Sequence, residues 1–213
     1  MRRTAIIAGL SLTIAWWAHP VLRAASAADA PRAAATLQAP ESFSSIPDRA
    51  ARSRALFAEA AKVITSPRCM NCHPAGDTPH QGDDRHVHKP TALRGANDTG
   101  VAGLPCASCH TDNNFTLPVG AASYQSIPGN PRWAVAPIEM AWQGKTIGEI
   151  CRQLKDPARN GGRDLVLLHE HMAKDDLVAW GWRPGAGRQP APGTQEQFGA
   201  IVQAWIDTGA ECP

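Results

Sequence analysis

Cys69-Met70-Asn71-Cys72-His73 is the first of two pentapeptides with the pattern Cys-x-x-Cys-His, and the second is Cys106-Ala107-Ser108-Cys109-His110. Two thiols at this spacing lie about one helical turn apart, so they can add to the two vinyl groups of one porphyrin. The histidine that follows can then bind the iron as its proximal ligand. Because the pattern is the attachment signature of c-type haem, the chain is predicted to carry two covalently attached haems, with His73 and His110 as proximal iron ligands.

The first 27 residues have the layout of a secretory signal peptide. Arg2 and Arg3 form a basic start, residues 5–18 are an apolar run, and residues 25–27 read Ala-Ser-Ala, which is a small-residue cleavage site. The apolar run is shorter than the roughly 20 residues that a membrane-spanning helix needs. We therefore predict that residues 1–27 direct Sec-type export to the periplasm and are removed. An uncleaved membrane anchor is the alternative.

The net charge does not indicate a nucleic-acid partner. The formal charge of +2 at pH 7 includes three arginines of residues 1–27, which contain no acidic residue. Without this segment the chain keeps 18 basic and 19 acidic residues, a net charge of −1. A nucleic-acid-binding protein would show a basic patch, and none is evident.

The six cysteines divide into four in the two motifs and two others, Cys151 and Cys212. In an oxidising compartment the two others are expected to form one disulfide. A buried free thiol at Cys151 is the alternative. The two Cys-x-x-Cys pairs also admit a zinc site as an alternative to haem.

The apolar pattern predicts an all-α fold with extensive coil, built of short helices wrapped around two haems. Residues 28–44, rich in Ala, Pro and Ser, predict a flexible lead-in, and residues 45–213 the dihaem domain. Apolar residues between 56 and 64 recur with helical spacing. Thr146 and Thr194 begin capping boxes, and Asp164 is a further N-cap. Residues 74–105, rich in Pro and Gly, predict a loop, and no convincing strand alternation is seen.

The distal iron ligands are expected from histidine or methionine side chains. The candidates are His80, His86, His88 and Met140, with Met172 as a weaker one. The three histidines lie in one loop between the motifs, where Asp83 and Asp84 could hold a ring N–H. The alternative is a surface histidine cluster, and for Met140 a core side chain that fills a gap. Residues Arg85, Arg94 and Arg132 are candidates for pairing with haem carboxylates.

Three stretches resemble a group of small exported bacterial cytochrome c-like proteins, often labelled as an isoquinoline 1-oxidoreductase subunit. Residues 69–88 read Cys-Met-Asn-Cys-His-Pro-Ala-Gly-Asp-Thr-Pro-His-Gln-Gly-Asp-Asp-Arg-His-Val-His, residues 140–142 read Met-Ala-Trp, and residues 148–162 read Gly-Glu-Ile-Cys-Arg-Gln-Leu-Lys-Asp-Pro-Ala-Arg-Asn-Gly-Gly. The resemblance covers most of residues 66–213. It implies a cytochrome c-like haem protein that accepts electrons from a periplasmic molybdenum hydroxylase. No cysteines are left for an iron–sulfur cluster, so it implies the electron-accepting partner and not the catalytic subunit.

Together these features predict a periplasmic dihaem c-type cytochrome and not an enzyme in itself. It would pass electrons one at a time from a molybdenum hydroxylase or dehydrogenase to a component of the respiratory chain. The alternatives are a small dihaem peroxidase or reductase with one five-coordinate iron, a haem protein that senses a diatomic gas, and the zinc protein.

Overall fold

The computed structural model describes residues 36–116 and 126–213, which are mostly helix and coil with three small sheets. The predicted signal peptide, residues 1–27, lies outside the described residues, as do residues 28–35 of the predicted lead-in. In the part of the chain that the structure describes, no helix is long and apolar enough to cross a membrane.

The core is formed mainly by two helices from opposite ends of the domain, α1 (Arg49–Ile64) and α6 (Gln195–Asp207). α1 begins at Asp48, whose side chain accepts a hydrogen bond from the Ala51 amide. Its apolar stripe from residue 56 to 64 is buried, as predicted. Phe57 packs against Trp205 of α6 with the ring centres 5.1 Å apart.

The three capped helices predicted from the sequence are confirmed. Thr146 caps α3 (Ile147–Leu154) and Thr194 caps α6, each in a reciprocal capping box, while Asp164 caps α4 (Leu165–Lys174). The predicted disulfide is also confirmed, because Cys151 of α3 is bonded to Cys212 with their Cα atoms 5.6 Å apart. The bond ties residue 212 to α3. Cys151 belongs to the core and Cys212 packs against it.

Short helical turns complete the fold. α2 (Pro67–Met70) begins with a proline at its first turn, where no amide donor is required, and it leads directly into the first pentapeptide. α5 (Asp176–Ala179) follows α4. Among the described residues, the 3-10 turns are Pro40–Phe43, Cys106–Ser108, Ile138–Met140 and Trp180–Trp182.

Two features differ from the sequence-based expectation. Three antiparallel hairpins of two-residue strands are present, where no strand was predicted: β1 (His80–Gln81) with β2 (His86–Val87), β3 (Gly100–Val101) with β4 (Leu104–Pro105), and β5 (Phe115–Thr116) with β6 (Ser126–Ile127). Strands of two residues cannot show the alternation that reveals a strand in sequence. The packed domain also begins before residue 45, because Phe43 is buried in the core and Leu37 packs against it.

Candidate functional site

The first pentapeptide lies on α2 and the turn that follows it. The Cys72 amide donates to the Cys69 carbonyl, so the two thiols are on one turn of chain. Burial raises the pKa of Cys69 to about 12 and that of Cys72 to about 11. Both thiols are therefore protonated at neutral pH. This does not favour a thiol–disulfide redox role, which needs a thiolate.

The second pentapeptide has the same local form on the 3-10 turn Cys106–Ser108. The Cys109 and His110 amides both donate to the Cys106 carbonyl, at 3.1 and 2.9 Å. This motif is more accessible than the first, since Cys109 is exposed and Cys106 partly buried. All four motif cysteines are free thiols, whereas Cys151 and Cys212 are bonded to each other.

His73 is held at one nitrogen and on one face. Its Nδ1–H donates to the Met140 carbonyl at 2.7 Å, and its ring stacks on Trp142 with centres 3.5 Å apart and planes 3° from parallel. Burial lowers the pKa of His73 to about 4. The imidazole is therefore neutral at pH 7, with its proton on Nδ1 and the lone pair on Nε2.

His110 is held in the same way by different residues. Its Nδ1–H donates to the Pro128 carbonyl at 2.8 Å, and its ring stacks on Trp133 with centres 4.7 Å apart and planes 14° from parallel. Burial also lowers the pKa of His110. Histidines that bind metals usually donate the other ring N–H to a carbonyl or carboxylate, which fixes the tautomer and the ring orientation. Both motif histidines meet this condition.

A cavity of about 190 Å³, open to solvent, lies beside the second pentapeptide. Cys106, Cys109 and His110 line it, and of the first pentapeptide Cys72 also reaches it. Most of the remaining wall is apolar and aromatic, which is typical of sites for small molecules and cofactors. The cavity is further lined by Pro79, Pro90, Ala92, Leu104, Pro105, Ile127, Pro128, Ala134, Val135 and Trp180.

Of the predicted distal histidines, His88 is the one whose ring lies beside that of His110. Its ring centre is 5.9 Å from that of His110, and its Nδ1–H donates to the Pro90 carbonyl at 2.7 Å. Two imidazoles that bind opposite sides of one metal ion through nitrogens at about 2 Å have ring centres about 6 Å apart. His80 also lines the cavity. His86 is not among the lining residues, and its Nδ1 is bonded to Asp84 Oδ1 at 2.6 Å, as predicted for a neighbouring carboxylate.

Met140 and Met172 are both buried in the hydrophobic core. Because the Met140 carbonyl accepts from His73 Nδ1, Met140 lies on the side of that ring opposite to Nε2. This arrangement assigns Met140 a role in holding His73, and its role as a distal ligand stays a prediction without geometric support. His171 lies within electrostatic reach of His73, and its Nδ1 is 3.2 Å from Asp175 Oδ2.

Two of the three arginines predicted to pair with haem carboxylates have other partners. Arg94 is bonded to Asp98, and Arg132 binds both carboxylate oxygens of Asp175. Arg85 has a positive φ of 57° in the β1–β2 turn. The arginines that line the cavity are instead Arg68 and Arg188, which the sequence reasoning missed. No local signal marks Arg188, whereas Arg68 stands directly before the first motif cysteine.

Within residues 36–116 and 126–213, no group of three or more His, Cys, Asp or Glu side chains is placed to hold a metal ion. A haem iron takes only axial ligands from the protein and does not need such a group. Comparisons with protein-family models, with curated proteins and with solved structures found no match to this chain.

Proposed function

We propose that the protein is an exported dihaem c-type cytochrome that relays electrons and does not itself catalyse a reaction. The observation that carries the proposal is the shared setting of the two motif histidines. His73 and His110 each donate Nδ1–H to a backbone carbonyl and each stack on a tryptophan. A neutral imidazole held in this way presents the Nε2 lone pair, which is the form that binds a metal.

The residues of the second motif fit a covalent haem most directly. Cys106 and Cys109 would form the thioethers at the cavity wall, and His110 and His88 would bind the iron. When bound, haem supplies reversible one-electron chemistry at its iron. Trp133 keeps the His110 ring from turning, and the apolar wall excludes water. In this proposal the first motif holds the second haem, and the short helices enclose both groups in a cytochrome c-like manner.

Two redox centres in one small domain suit a relay between larger partners, because the protein only has to position them and set their electronics. The resemblance of residues 69–88, 140–142 and 148–162 supports a periplasmic molybdenum hydroxylase or dehydrogenase as the electron donor. A component of the respiratory chain would be the acceptor.

The test is the number of covalent haems per chain. The full-length protein is produced in a bacterium with c-type haem maturation and purified from the periplasm. Its mass after denaturation and its pyridine haemochrome spectrum are then measured. We expect two haems per chain, and a redox titration with two one-electron steps.

Matched double variants locate the haems. Cys69→Ser with Cys72→Ser, and separately Cys106→Ser with Cys109→Ser, should each leave one haem. The control, Cys151→Ser with Cys212→Ser, removes two cysteines outside the motifs and should keep both. A wild-type protein without covalent haem would overturn the proposal.

A further inference from the structure

The cavity beside the second motif has a one-sided charge. Arg68, Lys89 and Arg188 line it, and none of the described residues that line it is an Asp or a Glu. A buried cationic group in a mostly apolar wall is costly unless an anion pairs with it.

Arg68 is the most deeply buried of these cations, with 3% of its surface exposed. Its Nη2 donates to the Gly82 carbonyl at 3.0 Å and pairs with the Asp83 carboxylate. Its Nε is buried and has no hydrogen-bond partner among the described residues. The guanidinium carbon lies 6.0 Å from the centre of the Trp180 ring, which also lines the cavity. Arg68 thus keeps one buried donor that is not used.

Arg188 faces the same cavity from the other end of the chain. Its Nη1 donates to the Ser126 hydroxyl at 2.7 Å and its Nη2 to the Ser126 carbonyl at 2.6 Å. The positive charges of Arg188 and Arg68 repel each other, and the Asp83 carboxylate attracts both. The Asp83 side chain is itself 46% exposed. Two guanidinium groups and one half-exposed carboxylate leave an excess positive charge at the cavity.

We infer that Arg68 and Arg188 form a two-arginine clamp for the propionate carboxylates of the haem attached at Cys106 and Cys109. The inference rests on the proposed function, since it takes that haem as the ligand of the cavity. Guanidinium groups match carboxylates in geometry and stay charged when buried. A flat apolar group that ends in two carboxylates is complementary to an apolar cavity with two arginines and no acidic lining residue.

Arg68 also connects the two haem sites. Its backbone directly precedes Cys69, and its charge lies within electrostatic reach of Cys69 and Cys72, while its side chain lines the cavity of the second motif. Arg188 instead acts on His110. A positive charge near an iron stabilises its reduced form, because the reduced haem carries one positive charge fewer. Arg68 therefore raises the reduction potential of both haems, and Arg188 mainly that of the second.

The experiment measures both midpoint potentials in the matured, full-length protein by optical redox titration. Arg188→Gln should lower the potential of the second haem and leave the first near its wild-type value, whereas Arg68→Gln should lower both. Arg68→Lys and Arg188→Lys keep the charge and should recover most of the shift. Arg54→Gln, on the exposed side of α1, is the matched control for loss of one charge.

The outcomes separate the inference from the proposed function. If wild-type protein carries no covalent haem, the proposed function fails and the clamp fails with it. If two haems are present but Arg188→Gln shifts neither potential more than Arg54→Gln does, the clamp alone is wrong. Should the buried Arg68→Gln variant fail to mature, the Arg188 pair of variants decides the question.

Discussion

His73 and His110 take their orientation from residues that are distant in sequence. The carbonyl that accepts from His73 is 67 residues away, and the one that accepts from His110 is 18 residues away. The Trp142 and Trp133 rings add a flat contact to each imidazole, so each ring is fixed in both tautomer and rotation. In the proposed haem protein the pentapeptide would supply the ligand, and these outside contacts would orient it for binding.

At this scale the structure separates two histidines that the sequence could not rank. The ring centres of His88 and His110 are 5.9 Å apart, which leaves room for one iron between them. In the proposed haem protein we therefore expect His88→Ala to convert the second haem from low-spin six-coordinate to high-spin five-coordinate. His86→Ala is the matched control, since it removes a neighbouring, half-exposed histidine of the same loop whose Nδ1 is bonded to Asp84. The measurement is the optical and electron paramagnetic resonance spectrum of the ferric protein.

Either of two results would contradict this assignment of the distal ligand. In one, His86→Ala and not His88→Ala changes the spin state. In the other, neither variant does so, and a variant of His80 would then be the next to measure, because His80 lines the same cavity.

The helical elements divide into those that make the core and those that carry the motifs. α2 has four residues and the second motif turn has three, too few to be stable alone. α2 depends on α1, which precedes it in the chain and contacts it directly. Both turns also depend on the contacts that the motif histidines make. The first motif is therefore the more rigidly supported, since α2 contacts α1 directly.

The packing of α1 on α6 should account for much of the stability of the domain. Phe57 is 1% exposed and contacts Trp205. We expect Phe57→Ala to lower the free energy of unfolding by about 3–5 kcal/mol, through lost apolar burial and the cavity left behind. Denaturant unfolding followed by circular dichroism measures the change.

The control for this prediction is Val166→Ala on α4, where the side chain is 70% exposed. Such a surface change should shift the free energy of unfolding by no more than about 0.5 kcal/mol. An equal effect of the two substitutions would mean that the α1–α6 interface is not the main core.

At the scale of the whole molecule, the disulfide links two distant parts of the C-terminal half covalently. It joins Cys151 and Cys212 across 61 residues of sequence. Replacing both cysteines with serine should lower the free energy of unfolding by about 2–4 kcal/mol, because the unfolded chain regains the freedom that the loop closure removed. Thermal unfolding of oxidised wild-type and variant protein measures this. An unchanged melting temperature would contradict it.

The haem content of the Cys151→Ser, Cys212→Ser double variant provides an internal check. The four motif thiols are free and separate from this bridge, so the double variant should mature with the wild-type number of haems. A loss of haem would show that the bridge is needed to assemble the motifs.

Local sequence patterns predict the helix starts at Thr146, Asp164 and Thr194, the buried stripe of α1 and the pairing of the two cysteines outside the motifs. Each follows from chemistry within one or two turns, or from counting thiols. Only the tertiary structure decided which carbonyls and tryptophans hold His73 and His110, which loop histidine stands opposite His110, and which arginines reach the cavity. These contacts join residues far apart in the chain, and local spacing carries no information about where packing brings such residues together.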